Sequence, residues 1–403
     1  MLPDINQFIK EKITKRPVSF FEEDLLNNKD NLLQAIQGKK VLVIGGAGTI
    51  GSSYIKALVR FSPGTLVVVD INENGLTELT RDLRSTLDIR VPAQYYTYPV
   101  SFSSPVFKKI LKFYGPFDIV ANFAAHKHVR SEKDIFSVEA MVENNTLNAK
   151  VLLDMLCEQR PQHFFCVSTD KAANPVNIMG ASKKLMEDVI IAYSSNLKIT
   201  TARFANVAFS NGSLPAGFIE RLFKRQPLSA PSDVKRYFVS PEESGQLCLL
   251  ACILGNTGEI FFPKLGEEHM MTFSQIATDL LHWIGYEPDP CATEEEAKQK
   301  AATLQPGSKS YPVYFFTSDT SGEKSFEEFY TEGEELDMSR FNALGVIKNI
   351  PKKEVGTINQ LFTDIRSTLN QEGTDKAGFV SVLKEYLPNF QHIETGKSLD
   401  QKM

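Results

Sequence analysis

The sequence predicts an α/β protein in which helices cover both faces of a doubly wound parallel sheet, with a smaller substrate-binding part towards the C-terminus. Strand-length apolar runs alternate with helical segments, which is the pattern of parallel sheets with crossover helices. A glycine-rich turn joins the first of these runs to the helix that follows it. The chain has 403 residues, 42% of them hydrophobic, and is long enough to bury a large core.

The predicted elements follow one another in a regular order after an N-terminal extension with helical spacing. The runs "KKVLVIGG" and "GTLVVVD" each read as a strand that leads into a helix. "FDIVANFAA", "HFFCVSTD" and "KITTARFAN" supply further strands, each followed by loop or helix signals. The alternation weakens after about residue 210, and the end of the chain again has helical spacing.

The turn after the first strand, "VLVIGGAGTIG", is typical of a dinucleotide-binding loop. Gly45, Gly48 and Gly51 have a G-x-x-G-x-x-G spacing. One glycine permits the tight turn, another lets a pyrophosphate approach the backbone, and the last lets the helix pack close to the sheet. The second strand ends at Asp70, where a carboxylate would bond a ribose 2′-hydroxyl and repel a 2′-phosphate. We therefore expect NAD, with NADP as the alternative.

These signals divide the chain into four parts. We expect a helical N-terminal extension (1–38), a dinucleotide-binding Rossmann domain (39–265, with substrate-binding segments from about 210), a C-terminal substrate-binding part (266–350) and a helical tail (351–403).

Composition excludes several classes of function. A net charge of −5 gives no drive towards nucleic acid or an anionic membrane. The five cysteines complete no zinc pattern, and Cys248 and Cys252 fall in an apolar stretch where they look like core residues. The N-terminus has no signal-peptide core, and no apolar run reaches the roughly 20 residues that span a bilayer. We expect a cytoplasmic protein without a metal.

The stretch "VSTDKAANPVNIMGASKK" (167–184) carries the candidate chemistry. It begins at the carboxyl end of a predicted strand, the edge where ligands bind in this architecture. Thr169, Asp170 and Lys171 should project into the cleft, although Ser-Thr-Asp is also a common helix N-cap. The next helix carries Met179 and Lys183 one turn apart on one face. Short-chain dehydrogenases, which this stretch resembles, have Tyr-x-x-x-Lys there, so methionine occupies the tyrosine position.

The segment resembles the signature of the nucleotide-sugar 4,6-dehydratases of bacterial polysaccharide and nonulosonate biosynthesis, some of which carry methionine in the tyrosine position. These extended short-chain dehydrogenases act on UDP-N-acetylglucosamine. The resemblance covers about residues 39–340, and further matching stretches are "ANFAAHKHV", "ARFANVAFSNGSLPAGF", "VKRYFVSPEES" and "SGEKSFEEFYTEGEELD". The residues expected at the cofactor are Gly45, Gly48, Thr49, Ile50, Gly51, Asp70, Ala124, Ala125, Asn144 and Lys183.

The resemblance implies a reaction in three steps. A hydride leaves sugar C4 for the nicotinamide, water is eliminated across C5 and C6, and the hydride returns to C6. It implies that Lys171 is the base at C5, that Asp170 is the acid at C6 and that Thr169 bonds O4. A thioether has no transferable proton, so Met179 cannot take the O4 proton. The candidates for accepting the O4 proton are Asp170 and a water relay, and the charge of Lys183 would lower the electrostatic cost of this transfer.

Substrate contacts follow from the same matching stretches. For Lys127 and His128 a solvated loop is the structural alternative, and for Glu323 an exposed cap is. The expected substrate-binding residues are Lys127, His128, Asn206, Ser213, Arg236 and Glu323.

Two other functions stay open at this stage. A nucleotide-sugar 4-epimerase shares the fold and the 4-keto intermediate, but it normally needs the tyrosine and has no need of Asp-Lys after the threonine. If the protein were a non-catalytic dinucleotide-binding regulator, the methionine would mark the loss of the catalytic tyrosine. Whether the C5 configuration is retained or inverted is also open. Since helices that flank such a sheet often pair, we expect a homo-oligomer.

Overall fold

The computed structural model describes residues 4–396, with the side chains of Arg130 and Ser131 left out. It confirms the α/β class, because a large and mainly parallel sheet lies at its centre. The strands are β1 Lys40–Ile44, β2 Thr65–Asp70, β3 Gln94–Pro99, β4 Ile119–Asn122, β5 His163–Val167, β6 Ile199–Ala202, β7 Asn206–Val207, β8 Leu228–Pro231, β9 Lys235–Val239, β10 Glu259–Pro263, β11 Met270–Thr272, β12 Glu287–Pro290, β13 Ser310–Phe316, β14 Glu335–Asp337 and β15 Leu344–Lys348.

Helices connect the parallel strands and extend beyond them at both ends of the chain. The segments Ile9–Ile13 and Glu143–Leu147 form π-helical turns. The α-helices are α1 Ile5–Phe8, α2 Glu22–Asn27, α3 Lys29–Ile36, α4 Thr49–Val59, α5 Glu73–Ser85, α6 Pro105–Tyr114, α7 Ile135–Val142, α8 Asn148–Glu158, α9 Ile178–Ala192, α10 Leu214–Phe223, α11 Pro241–Leu254, α12 Phe273–Trp283, α13 Glu294–Ala302, α14 Val355–Asn370 and α15 Lys376–Tyr386.

The central sheet has the strand order β14-β15-β10-β6-β5-β4-β1-β2-β3. The strands from β10 to β3 are parallel, and β15 and β14 complete the sheet as antiparallel strands. The order of connection reverses between β1 and β4, which opens a crevice at their carboxyl ends. This crevice lies beside the ends of β5 and β6, so the stretches predicted to carry cofactor and chemistry share one edge.

Alternate residues of the strands bury into two separate cores, one on each face of the sheet. Leu42 and Ile44 of β1 belong to the core formed with α8 and α9, whereas Val41 and Val43 belong to the core formed with α4 and α11. Burial on both faces explains why the strands are continuous apolar runs. Cys248 and Cys252 lie buried in α11, as the sequence predicted.

Two small three-stranded sheets stand outside the central one. They have the orders β11-β9-β7 and β12-β13-β8 and draw their strands from residues 206–316. The strands β14 and β15 fall within the range 266–350, yet they return to the central sheet. The division into four parts stays a prediction.

Both ends of the chain pack against the rest of the molecule. Phe8, Ile9 and Ile13 enter the core around α10 and α12, whereas Leu32 and Ile36 enter the core beside α11. The helices α14 and α15 add a row of buried apolar residues to the core around α9. Between residues 4 and 396 no helix combines the length and the apolar character that crossing a membrane requires.

Candidate active site

The glycine loop between β1 and α4 has the geometry that a dinucleotide needs. Gly45 adopts a φ of +74°, and a Cβ there would lie 2.5 Å from the backbone nitrogen of Ala124. A Cβ on Gly51 would lie 2.3 Å from the carbonyl oxygen of Gly45, so only glycine lets α4 pack this closely. The nearest contact of a Cβ on Gly48 would be the same oxygen at 3.5 Å. The loop is therefore tight on its inner side and has room at Gly48.

Asp70, at the carboxyl end of β2, holds the loop in place. One carboxylate oxygen accepts the N–H of Ala47 at 2.9 Å, and the other accepts the N–H of Asn72 at 2.9 Å. Each oxygen has a further lone pair for a ribose hydroxyl. The helix α4 begins after Gly48 without a side-chain cap, so its first N–H groups suit a phosphate.

The first two residues of α4 have different surroundings. The hydroxyl of Thr49 accepts the N–H of Asn211 at 2.9 Å, which links the glycine loop to the segment before α10. Ile50 is half buried and packs against the apolar cores. The start of α4 thus contacts both the segment before α10 and the apolar cores.

The segment after β4 forms the opposite wall of the crevice. Ala124 and Ala125 are half buried there. Buried Asn145 fixes this segment, since it accepts the N–H of His126 at 2.8 Å and donates to the carbonyl of His126 at 2.9 Å. The predicted cofactor residue Asn144 donates to the side chain of Asn145 at 3.2 Å.

Thr169, Asp170 and Lys171 form one hydrogen-bonded cluster directly after β5. A single oxygen of Asp170, Oδ1, accepts the Thr169 hydroxyl at 2.8 Å, the Lys171 N–H at 2.9 Å and the Lys171 Nζ at 3.1 Å. The Asp170 side chain is buried. The sequence neighbours predicted to be acid and base are therefore in direct contact.

A second carboxylate, that of Glu327, reaches the same lysine. The Oε1 of Glu327 lies 3.5 Å from Lys171 Nζ and 3.9 Å from the guanidinium of Arg236. Burial alone would lower the pKa of Lys171, but the carboxylates of Asp170 and Glu327 outweigh it and raise that pKa. Burial raises the pKa of Glu327, and the attraction of Lys171 only partly offsets this.

Met179 and Lys183 lie on the first turns of α9, both buried. The N–H of Met179 donates to Oε1 of Glu132 at 2.8 Å, and its side chain belongs to the core around α9. The ammonium of Lys183 donates to the carbonyl of Val167, the last residue of β5, at 2.6 Å. Burial lowers the pKa of Lys183.

Arg236 and Glu323, both predicted to bind substrate, belong to one network. The guanidinium of Arg236 lies 3.3 Å from Oε1 of Glu323 and donates to the carbonyl of Lys324 at 3.0 Å. The hydroxyls of Ser318 and Thr320 donate to Oε2 of Glu323 at 2.6 and 3.0 Å. Arg236 therefore holds the segment that carries Glu323 and Glu327 against the cleft.

The remaining residues predicted to bind substrate lie on two other segments, 127–128 and 206–213. Lys127 and His128 are exposed. Protein atoms around Lys127 nevertheless partly desolvate its ammonium, which lowers the pKa of Lys127. A Cβ on Gly212 would lie 3.0 Å from Nε2 of His128, so the two segments approach closely. Ser213 caps α10, and Asn206 begins β7 half exposed.

Residues 391–396, here called the C-terminal strap, cross the start of α9. The N–H of Ile393 donates to the carbonyl of Val176 at 2.9 Å. The Nε2 of His392 lies 3.7 Å from Oε2 of Glu132, the residue whose other oxygen accepts the N–H of Met179. The strap therefore braces the acceptor that holds the methionine backbone.

The C-terminal strap also reaches the segment before Glu323. The N–H of Thr395 donates to the hydroxyl of Ser321 at 3.0 Å, and that hydroxyl donates to Glu394 at 2.7 Å. The adjacent Gly322 accepts a hydrogen bond at 2.8 Å from Asn177, the N-cap of α9. The strap, the start of α9 and the segment around Ser321 and Gly322 are thus joined at one place.

Sequence reasoning missed several residues that position the site. Glu327 lay within a quoted matching stretch, four residues after Glu323, and its place there was the available signal. Glu132 and Asn145 had no motif of their own. The contacts of the C-terminal strap join segments that are far apart in the chain, and no local pattern encodes them.

The chain is similar to known proteins both in sequence and in fold. Residues 41–334 match the family model described as polysaccharide biosynthesis protein. The chain is 31% identical over 302 residues to an uncharacterized membrane protein of Methanocaldococcus jannaschii, covering 72% of this chain and 85% of that one. It is 25% identical over 303 residues to a UDP-N-acetylglucosamine 4,6-dehydratase (inverting) of Campylobacter jejuni, covering 73% and 82%.

Some relatives are much longer than the matched region. The chain is 28% identical over 317 residues to the probable polysaccharide biosynthesis protein EpsC of Bacillus subtilis, covering 76% of this chain and 51% of that protein. The match thus spans about half of EpsC.

Solved structures share the fold at low identity. Pen from Bacillus thuringiensis aligns with a TM-score of 0.63 at 20% identity, covering 81% of this chain and 98% of that one. The dTDP-glucose 4,6-dehydratase DesIV of Streptomyces venezuelae aligns with a TM-score of 0.55 at 18% identity, covering 72% and 87%. Both likenesses support the doubly wound fold.

Proposed function

The chain belongs to the polysaccharide biosynthesis protein family, and we propose that it is a nucleotide-sugar 4,6-dehydratase that converts UDP-N-acetylglucosamine into a UDP-4-keto-6-deoxy-N-acetylhexosamine. The observation that carries the proposal is the contact of Thr169, Asp170 and Lys171 at the end of β5. An acid and a base side by side suit the removal of water across neighbouring carbons. The 25% identity to a dehydratase of C. jejuni supports the same reaction.

The glycine loop supports NAD as the cofactor. Room at Gly48 suits a pyrophosphate, and the carboxylate of Asp70 suits an unphosphorylated ribose. The chemistry that NAD would supply is acceptance of the C4 hydride and its return to C6. The ammonium of Lys183, which is buried and donates to the last carbonyl of β5, would hold positive charge near the nicotinamide ribose.

Asp170 makes two proton transfers in the proposed cycle. It takes the O4 proton while C4 is oxidised, and the hydroxyl of Thr169 bonds O4. The resulting 4-ketone acidifies the C5 proton, which Lys171 removes. Asp170 then delivers its proton to the departing C6 hydroxyl, which leaves as water. Lys171 returns its proton to C5 when the hydride is delivered to C6, so each proton that the protein takes up is used or returned within one turnover.

Met179 has a shaping role in this proposal. Its thioether cannot exchange a proton, and its buried side chain fills the core beside the cluster. The acid–base work therefore shifts from the helix position of the usual tyrosine to the strand end, at Asp170 and Lys171.

Substrate recognition is proposed for residues on four segments of the chain. Positive or hydrogen-bonding side chains suit a nucleoside diphosphate and its sugar. The proposed residues are Lys127, His128, Asn206, Ser213, Arg236 and Glu323.

The test is incubation of the purified protein with UDP-N-acetylglucosamine and NAD, followed by mass and NMR analysis of the product. We expect loss of one water and a 4-keto group, with the C5 configuration read from the same spectrum. Lys171→Ala should abolish this product, because no other amine contacts Asp170 among the described residues. Product formation at the normal rate by Lys171→Ala would remove the assignment of the base.

Two other outcomes would point elsewhere. An epimer of unchanged mass would identify a 4-epimerase, and absence of any product despite bound dinucleotide would favour a regulator.

A further inference from the structure

We infer that Glu327 takes the surplus proton of Lys171 and so prepares the lysine to act as a base at C5; this inference rests on the proposed dehydratase function. Glu327 acts through Lys171 and not on the sugar, which makes it a positioning residue. The inference starts from geometry. Lys171 Nζ lies 3.1 Å from Oδ1 of Asp170 and 3.5 Å from Oε1 of Glu327, and both carboxylates are buried.

The charges around Lys171 keep it protonated at rest. Asp170 and Glu327 face its ammonium, and the guanidinium of Arg236 lies 3.9 Å from Glu327. Lys324 adds positive charge near Glu327, and Glu323 neutralises Arg236 from the other side. In this setting the two carboxylates raise the pKa of Lys171 against the effect of burial. An ammonium cannot accept a proton from C5, so Lys171 must first lose one.

Asp170 is a poor acceptor for that proton. Its Oδ1, the oxygen that faces Lys171 Nζ, already accepts three hydrogen bonds. In the proposed reaction Asp170 must also start as a carboxylate, because it takes the O4 proton. If Asp170 received the lysine proton, it would have no capacity for the one from O4.

Glu327, unlike Asp170, can accept the proton of Lys171 without losing the capacity needed for the O4 proton. One N–H bond of the Lys171 ammonium breaks and one O–H bond forms at Glu327, which leaves a neutral amine and a neutral carboxylic acid. The ion pair and the neutral pair carry the same net charge, so no proton enters or leaves the site. A buried environment favours the neutral forms. Burial also raises the pKa of Glu327, which agrees with its role as acceptor.

The pH dependence of the Glu327→Gln variant tests the inference. In the wild type Lys171 and Glu327 share one proton. Activity is therefore lost only at acidic pH, where this pair binds a second proton. In Glu327→Gln the lysine must release its proton to solvent. The acidic limb of the kcat profile should therefore move to higher pH. At neutral pH kcat should fall by about 100-fold, the scale of a lost acid–base partner, with KM little changed.

Control measurements separate this effect from a structural one. Glu328, the next residue, is exposed and bonds the side chain of Asn174 at 2.8 Å, so Glu328→Gln should keep the wild-type profile. Glu327→Asp keeps a carboxylate and should keep the acidic limb with a lower kcat. Solvent deuterium exchange at C5 should be lost in Glu327→Gln, while reduced nicotinamide still forms from the C4 step.

The outcomes distinguish the inference from the proposed function. If the wild type dehydrates the sugar and Glu327→Gln shows an unmoved acidic limb, Glu327 does not hold the proton and the inference fails. The wild-type profile alone gives a second check, because a limb near the ordinary pKa of lysine would also contradict the shared proton. If the wild type forms no dehydrated product at all, the proposed function itself fails.

Discussion

Two glycines of one loop are expected to respond differently to the same substitution. In Gly51→Ala the new Cβ would lie 2.3 Å from the backbone oxygen of Gly45, so α4 must move away from the sheet. We expect lower stability and loss of NAD binding. Gly48 has φ −71° and ψ 161°, which alanine adopts, and the nearest contact of its Cβ would be at 3.5 Å. Gly48→Ala should fold with near wild-type stability and bind NAD more weakly.

Unfolding in denaturant and titration of NAD by fluorescence would measure both effects. Equal loss of stability in Gly48→Ala and Gly51→Ala would contradict the division of roles between the two glycines.

At the residue scale, the sequence predicted contacts between neighbours and missed contacts between distant segments. Asp170 and Lys171 are adjacent in the chain and follow a strand, so their presence at the sheet edge could be predicted. Glu327 reaches Lys171 from a segment after the last small-sheet strand, and only folding brings them together. The carboxylate of Glu327 adds to that of Asp170 in raising the pKa of Lys171.

At the scale of an element, the C-terminal strap should stabilise the start of α9. A chain that ends after Phe390 keeps the buried side chain of that residue and loses the contacts to Val176, Glu132 and Ser321. Intramolecular hydrogen bonds each contribute about 0.5–1.5 kcal/mol, so we expect a loss of about 1–2 kcal/mol in the free energy of unfolding. We also expect a lower kcat/KM, because Glu132, whose carboxylate accepts the N–H of Met179, is less firmly held.

Chemical denaturation and steady-state kinetics of this truncated chain would check the expectation. Lys384→Gln, on the exposed side of α15, serves as the matched control and should behave as the wild type. Unchanged kinetics and stability after truncation would show that the strap has no part in the site.

Among elements, the sequence pattern predicted five strands of the central sheet, β1, β2, β4, β5 and β6, but not its other four strands or where the terminal helices dock. The run "INQLFTDIRSTL" has helical spacing and lies in α14. Nothing in that spacing indicates that its apolar face, with Leu361 and Ile365, packs into the core around α9. Docking depends on a complementary apolar surface elsewhere in the chain, which a local pattern does not describe.

At the scale of the whole molecule, the N-terminal extension should hold the smaller substrate part in place. Phe8 is fully buried, and its ring lies 5.8 Å from that of Phe209 and 5.7 Å from that of Trp283. A buried Phe→Ala change costs about 3–5 kcal/mol, so Phe8→Ala should destabilise the protein by this order. Since the glycine loop belongs to a different core, substrate KM should rise more than the Kd for NAD.

Hydrogen exchange of α12 compared with β1 would locate the loosened region. Phe113→Ala removes a ring that is 80% exposed and should change stability by about 0.5 kcal/mol or less. A larger effect on NAD binding than on substrate in Phe8→Ala would contradict the separation of the two parts.

The position of the C-terminal strap in the chain affects the order in which parts of the protein fold during synthesis. Because the N-terminal part of a chain leaves the ribosome first, the sheet and the glycine loop can form before the strap has been synthesised. The contact of Ile393 with Val176 comes only when nearly the whole described chain has emerged. A newly synthesised molecule should therefore be able to bind dinucleotide before the strap contacts the start of α9, and the proposed dehydratase activity should appear only after that contact forms.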